Sequence, residues 1–137
     1  MVPGVFHHLG VACADLDAEA GHWHSLGYRE ESARFMDPNL GVQGVFMTAG
    51  AGPRIELVAP ATDFSHVLTP WLERGVKIYH AAYEVDSLQR SLQHLESKGA
   101  RTVVKPIPAV AFGGRQIAFS LMRNLVLIEF IQRQHPE

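Results

Sequence analysis

Two hydrophobic periods alternate along this chain, and the alternation happens twice. Val5 to Ala12 reads as a strand, with residues 6, 8, 10 and 12 on one face and 7, 9 and 11 on the other. The spacing then turns helical. Leu16, Ala20 and Trp23 form an apolar stripe behind Asp15, a good N-cap, with Asp17 and Glu19 in the first turn and Gly27 as the stop. A strand over about Tyr28 to Ser32 follows. Ala33 to Gly44 holds Pro38, Asn39, Gly41 and Gly44 and reads mostly as loop. Val45 to Thr48 and Arg54 to Ala59 are strands joined by the turn Gly50-Ala51-Gly52-Pro53, and Pro60 ends this half. Asp63 to Arg74 reads as a helical connector, restarted at Pro70 with Thr69 as cap and closed by Gly75.

The same order then returns. Val76 to Val85 contains a strand, and Asp86 caps a helix in which Gln89 completes a capping box. Leu88, Leu92 and Leu95 make its stripe, Lys98 sits in its last turn and Gly99 stops it. Arg101 to Val104 is a strand and Lys105 to Gly114 a loop. Arg115 to Leu121 and Leu125 to Gln132 pair as a hairpin through Met122-Arg123-Asn124. The halves align residue by residue. A shift of 72 puts His8 on His80, Leu16 on Leu88, His22 on His94, Ser25 on Ser97 and Gly27 on Gly99. A shift of 73 puts Gly41 on Gly114, Gln43 on Gln116, Phe46 on Phe119, Ile55 on Ile128 and Glu56 on Glu129. The expectation is two tandem strand–helix–three-strand modules, at about 4–60 and 76–133, with a connector at 61–75 and all within one domain over 1–137.

Each half ends on an acid inside an apolar run, Ile55-Glu56-Leu57-Val58 and Ile128-Glu129-Phe130-Ile131. An unpaired buried carboxylate costs several kcal/mol, so such a run needs a reason to hold one. Each half also begins with a strand histidine: His8, beside the small Gly10 and Ala12, and His80. A pseudo-two-fold axis between the modules would bring together His8, Glu56, His80 and Glu129, a donor set suited to one divalent ion with open positions. The competing reading has the histidines bonded to backbone and the glutamates paired with arginines such as Arg54 or Arg115. His7 is a rival to His8, but the repeat sets Tyr79 opposite it. His22, His24, His66 and His94 fall on helical stretches and read as solvated or packing residues. Gly113-Gly114-Arg115 could cradle an anion, and Lys105, Arg115 and Arg123 are the cations to watch for an anionic substrate tail.

Composition changes this picture little. The chain has 137 residues, is 47% apolar and 19% charged, and carries a net charge of −2. That describes a folded domain and gives no argument for nucleic acid or an anionic membrane surface. One cysteine, Cys13, excludes an internal disulfide and fits a reducing cytoplasm; it reads as a small core residue. The first residues lack the basic and apolar stretches of a signal peptide, and no apolar run approaches the ~20 residues of a membrane span.

These pieces resemble the vicinal oxygen chelate superfamily, the glyoxalase/bleomycin resistance/dioxygenase group. The matching stretches are His7-His8-Leu9-Gly10-Val11-Ala12 with Asp15-Leu16-Asp17, Ile55-Glu56-Leu57-Val58-Ala59-Pro60, and Tyr79-His80-Ala81-Ala82-Tyr83-Glu84-Val85-Asp86. They continue with Gly113-Gly114-Arg115-Gln116-Ile117-Ala118-Phe119 and Val126-Leu127-Ile128-Glu129. Within the superfamily they look most like methylmalonyl-CoA epimerases. The resemblance implies an α+β fold in which two βαβββ modules form an open, cup-shaped, eight-stranded mixed sheet around a metal site. It assigns the metal to His8, Glu56, His80 and Glu129, with cobalt, nickel, manganese, iron or zinc as candidates.

The implied activity is that of a divalent-metal isomerase or lyase that enolises a chelating carbonyl substrate, an acyl-CoA in the epimerase form. Glu129 and Glu56 would move the proton, and Gln43 would hydrogen-bond the enolate. Arg115, Gly114, Lys105 and Arg123 would bind substrate. Three departures mark the chain. Glu56 stands where many epimerases have glutamine and where glyoxalase I has glutamate. Gly41-Val42-Gln43-Gly44-Val45-Phe46 lacks the glutamate that some epimerases use as base. Ser120-Leu121-Met122-Arg123-Asn124 replaces a longer turn. The alternatives are a glyoxalase-I-like lactoylglutathione lyase and a metal-free binding protein of the resistance type. A homodimer is expected, because open sheets leave edges to cover.

Overall fold

The structure is a computed structural model, and it describes residues 4–62 and 65–134. The chain divides into two compact units, one running from His8 to Tyr79, the other combining the residues up to His7 with those from His80 onward. The boundaries fall inside β1 (Gly4–Ala12) and β6 (Ile78–Val85), so both strands contribute to both units.

In the unit from His8 to Tyr79, β1 pairs in parallel with β5 (Ile55–Pro60), and β5 pairs antiparallel with β4 (Val42–Thr48). The outer strands β2 (Arg29–Glu30) and β3 (Phe35–Asp37) both pair with β4. Alternation sorts the side chains cleanly. Val11, Val45, Met47, Ile55, Leu57 and Ala59 pack with Leu16 and Ala20 of α1 (Leu16–His24) into a buried cluster. The opposite face carries His8, Phe46 and Glu56. Asp15 caps α1 as expected, its carboxylate accepting from the Ala18 N–H, and Gly27 turns the chain at φ 89°.

Two expectations change in this unit. The segment read as loop contributes β3 and the first half of β4, so among the described residues this half supplies five strands and the two halves nine, where eight were expected. Asp37 makes that hairpin possible, because its Oδ1 accepts from the N–H groups of Asn39 and Leu40 and closes the turn. The predicted connector helix begins at Asp63 and Phe64, which lie outside the described residues. Beyond them it shortens to α2 (Thr69–Glu73), preceded by a turn over residues 66–68. Its N-cap is Leu68, and Thr69 instead turns its hydroxyl back to accept from the Ser65 N–H.

In the other unit, β6 pairs in parallel with β9 (Leu127–Gln132), and β8 (Gln116–Leu121) lies antiparallel between β9 and β7 (Arg101–Pro108). Val85, Ala118 and Phe130 pack against Leu88 and Leu92 of α3 (Leu88–Ser97). The opposite face carries His80, Ala82, Glu84, Ile117, Phe119, Glu129 and Ile131. α3 starts one residue later than expected. Ser87 is its cap, accepting from the Arg90 N–H, while Asp86 pairs with Arg133. β7 runs on through Pro106 and Pro108, which an edge strand with shifts in register tolerates. The final turn extends through Leu125, at φ 71°. In each unit the strands run both parallel and antiparallel and one helix packs on one face, α1 in the first and α3 in the second, so the fold is α+β with an open mixed sheet, as expected.

Candidate functional site

Both halves build the same pair. In the first, parallel pairing of β1 with β5 sets Gly10 opposite Glu56 and leaves room beside the carboxylate. His8 Nε2 lies 3.3 Å from Glu56 Oε1, and both residues are buried. Phe46, opposite Glu56 on β4, presents its ring edge-on to His8, with centroids 5.2 Å apart. In the second half, Ala82 lies opposite Glu129, and His80 Nε2 is 3.1 Å from Glu129 Oε1. Phe119, opposite Glu129 on β8, stands edge-on to His80, again with centroids 5.2 Å apart. Each unit thus offers one imidazole and one carboxylate, both buried, against an aromatic wall. Imidazole nitrogen and carboxylate oxygen are donors of the kind a divalent metal takes, and each unit supplies one of each.

The alternative partners foreseen for the acids are engaged elsewhere. Arg54 reaches Glu31 and Arg115 reaches Glu84. His7 stacks edge-on against Phe112, with centroids 5.4 Å apart, and leaves the pairing to its neighbour His8. Cys13 is buried, donates to the Val58 carbonyl and has its thiol pushed up to about 11, first by burial and next by Glu19.

The other candidates separate. Gln43 lies opposite Ala59, on the Val45 and Met47 face, and its amide donates to the Pro60 carbonyl. It therefore sits on the side of the sheet away from Glu56. Lys105 is exposed on β7. Arg123 is exposed in the β8–β9 turn, where its methylenes lie over Gly99. Arg115 stands before the opposite end of β8, about 20 Å away along the strand. Gly114, at φ 90°, donates its N–H to the Ala109 carbonyl and forms the turn that delivers Arg115 to β8.

Four residues have roles here that the sequence reading did not assign. Phe46 and Phe119 coincide in the 73-residue repeat, and that coincidence was the signal for them. Glu84 binds Arg115 on the His80 face. The Arg115 hydrogen bond holds the Glu84 carboxyl below the usual carboxylate range, against burial, which pushes it up. Asp37 is buried opposite Val42 and serves the turn already described.

The sequence matches the Glyoxalase/Bleomycin resistance protein/Dioxygenase superfamily over residues 7–119. The chain belongs to this superfamily. An ethylmalonyl-CoA/methylmalonyl-CoA epimerase of Cereibacter sphaeroides is 28% identical over 118 residues, covering 85% of this chain and 87% of that protein. Among solved structures, methylmalonyl-CoA epimerase from Mycobacterium tuberculosis superposes with a TM-score of 0.78 at 26% identity, covering 98% of this chain and 90% of that one. A hypothetical protein from Bacillus halodurans superposes with a TM-score of 0.79 at 25% identity, covering 98% and 97%.

Proposed function

We propose that this superfamily member is a divalent-metal-dependent epimerase of an acyl-CoA whose α-carbon lies between two carbonyl groups, as in methylmalonyl-CoA. The observation that carries the reading is the buried histidine–glutamate pair made twice, in a chain whose relatives include such epimerases. In this reading His8, Glu56, His80 and Glu129 hold one ion of cobalt, nickel, manganese, iron or zinc. When bound, that ion supplies a Lewis acid that polarises a carbonyl oxygen. Glu56 and Glu129 are the carboxylates that take a proton from one face of the α-carbon and return it to the other. Phe46 and Phe119 exclude water from the imidazole edges, which strengthens the electrostatics there. Arg115 and Gly114 lie toward the substrate arm. The proposal includes a homodimer working in the cytoplasm, consistent with the unpaired outer edges of β2 and β7 and with the single buried thiol.

The test is solvent-deuterium exchange into methylmalonyl-CoA by protein loaded with each metal in turn. Exchange at the α-carbon is expected with at least one ion, and no exchange with any of them removes the epimerase reading. Glu56 favours a second reading, a glyoxalase-I-like lyase, because it supplies a second carboxylate. That enzyme would consume the methylglyoxal–glutathione hemithioacetal, and an unchanged hemithioacetal absorbance would exclude it.

A further inference from the structure

We infer that Arg115, fixed by Glu84, is a docking point for an uncharged amide carbonyl in the arm of a thioester substrate; this rests on the acyl-thioester reading above. Arg115 is held through two of its three nitrogens. Its Nη1 donates to Glu84 Oε2 at 2.9 Å and to the Gln132 carbonyl at 3.3 Å, and its Nε donates to the Phe112 carbonyl at 3.4 Å. The guanidinium carbon lies 5.7 Å from the centroid of the Phe112 ring. None of these contacts uses Nη2, and the side chain is 27% exposed. The group is therefore oriented in advance, with one amine still able to donate.

Glu84 decides what that amine suits. Its carboxylate already meets the arginine's charge, so the pair offers hydrogen bonds with little net charge. An amide oxygen fits such a donor better than a phosphate or a second carboxylate, which would face Glu84 as well. The placement agrees. Ala82 lies opposite Glu129, and Glu84 is two residues further along the same face, about 8 Å from Glu129 between α-carbons. In an extended pantetheine arm the first amide carbonyl carbon lies about 6 Å from the thioester carbon, within the same reach. Glu84 is thus a positioning residue that acts through Arg115.

The test is equilibrium binding to the metal-loaded protein by calorimetry, which an epimerase permits because it leaves racemic substrate unconsumed. The probes are racemic methylmalonyl thioesters of N-acetylcysteamine, which carries the first amide, of pentanethiol, which has the same length without it, and of 4-mercaptobutyrate, which ends in a carboxylate. The wild type is expected to bind the amide probe about 10-fold tighter than the pentyl probe, and Arg115→Met to bind the two equally. Glu84→Gln is expected to shift preference from the amide to the carboxylate probe, which a merely structural role for Glu84 would not do. Equal binding of the amide and pentyl probes by the wild type would overturn the role of Arg115 and leave the acyl-thioester reading standing. An unchanged probe order in Glu84→Gln would overturn the role of Glu84. Failure to bind any thioester, with the hemithioacetal bound, would overturn both this inference and the acyl-CoA reading.

Discussion

Glu56 and Glu129 are each asked to ligate and to move a proton, and substitution can separate the two tasks. Glutamine keeps an oxygen donor but takes no proton at neutral pH. Glu56→Gln and Glu129→Gln, at saturating metal, are expected to lower α-proton exchange by about 100-fold or more, the usual weight of a general base. Metal content measured on the same samples should stay near the wild-type value. If content falls with activity, the acid served as ligand alone. At Arg115 the physical question is charge. Glu84 titrates below the usual carboxylate range when folded, mainly through its hydrogen bond from Arg115, with His7 and Arg133 adding smaller attractions against burial. A lowered folded pKa contributes stability above the unfolded value, about 4.3, and loses it as pH falls through the folded one. Arg115→Met should therefore cost stability at pH 7, by about 1 kcal/mol or less for a partly exposed pair, and the part of that cost owed to Glu84 should shrink as pH falls through its lowered folded pKa. Urea titrations of both proteins at a series of pH values from 7 downward check this. Cys13 gives a simpler outcome. With its thiol pushed to about 11 by burial it stays protonated at pH 8, so iodoacetamide should label it only after unfolding, as mass spectrometry would show.

At the level of elements, the sharpest stability test concerns Gly44. A β-carbon there would stand 2.6 Å from the Phe35 ring and 2.7 Å from the Leu57 carbonyl oxygen. The ring can rotate away, but the oxygen belongs to β5 and is fixed by the sheet. Gly44→Ala is expected to cost about 1–3 kcal/mol, the range for overpacking, read from the shift in urea midpoint. The same strand shows where sequence runs out. Hydrophobic alternation located the inner strands β1, β5 and β6 to within a few residues, because their side chains are sorted by burial. It could not say on which side Gln43 falls, since that depends on β4 starting at Val42, and that start depends on pairing with β3. Local chemistry alone was also ambiguous at α3, where Asp86 and Ser87 are both good caps. The tie is broken by Arg133, distant in sequence, which draws Asp86 away. Ser87→Ala should consequently cost about 1 kcal/mol and Asp86→Ala clearly less. The two prolines suggested that β7 would stop early, and only its place at an edge explains why it does not.

For the whole molecule, the repeat was the most legible feature, and the reason is energetic. Each half buries one carboxylate against one imidazole, and breaking a buried pair costs several kcal/mol. Each pair is therefore constrained in the same way, and the shared constraint surfaces as matched positions 72 or 73 residues apart. The residues that tune a substrate are under no such twofold demand, so Glu84 and Arg115 have no counterparts in the first half and nothing in the repeat marked them. The proposed metal adds a consequence for folding. An ion that binds the folded chain, and not the unfolded one, stabilises it by mass action, about 2.7 kcal/mol at a hundredfold excess over its dissociation constant. If each pair bound its own ion weakly, loss of one pair would leave half of that gain. If one ion needs both pairs, His8→Ala and His80→Ala should each abolish the whole metal-dependent rise in melting temperature. The double variant should lose no more than either alone, because removing one donor already removes the site. Calorimetric melting of the three variants and the wild type, with and without excess cobalt, measures this directly. Additive losses would mean two separate sites, and the epimerase chemistry proposed for a single shared ion would then lack its centre.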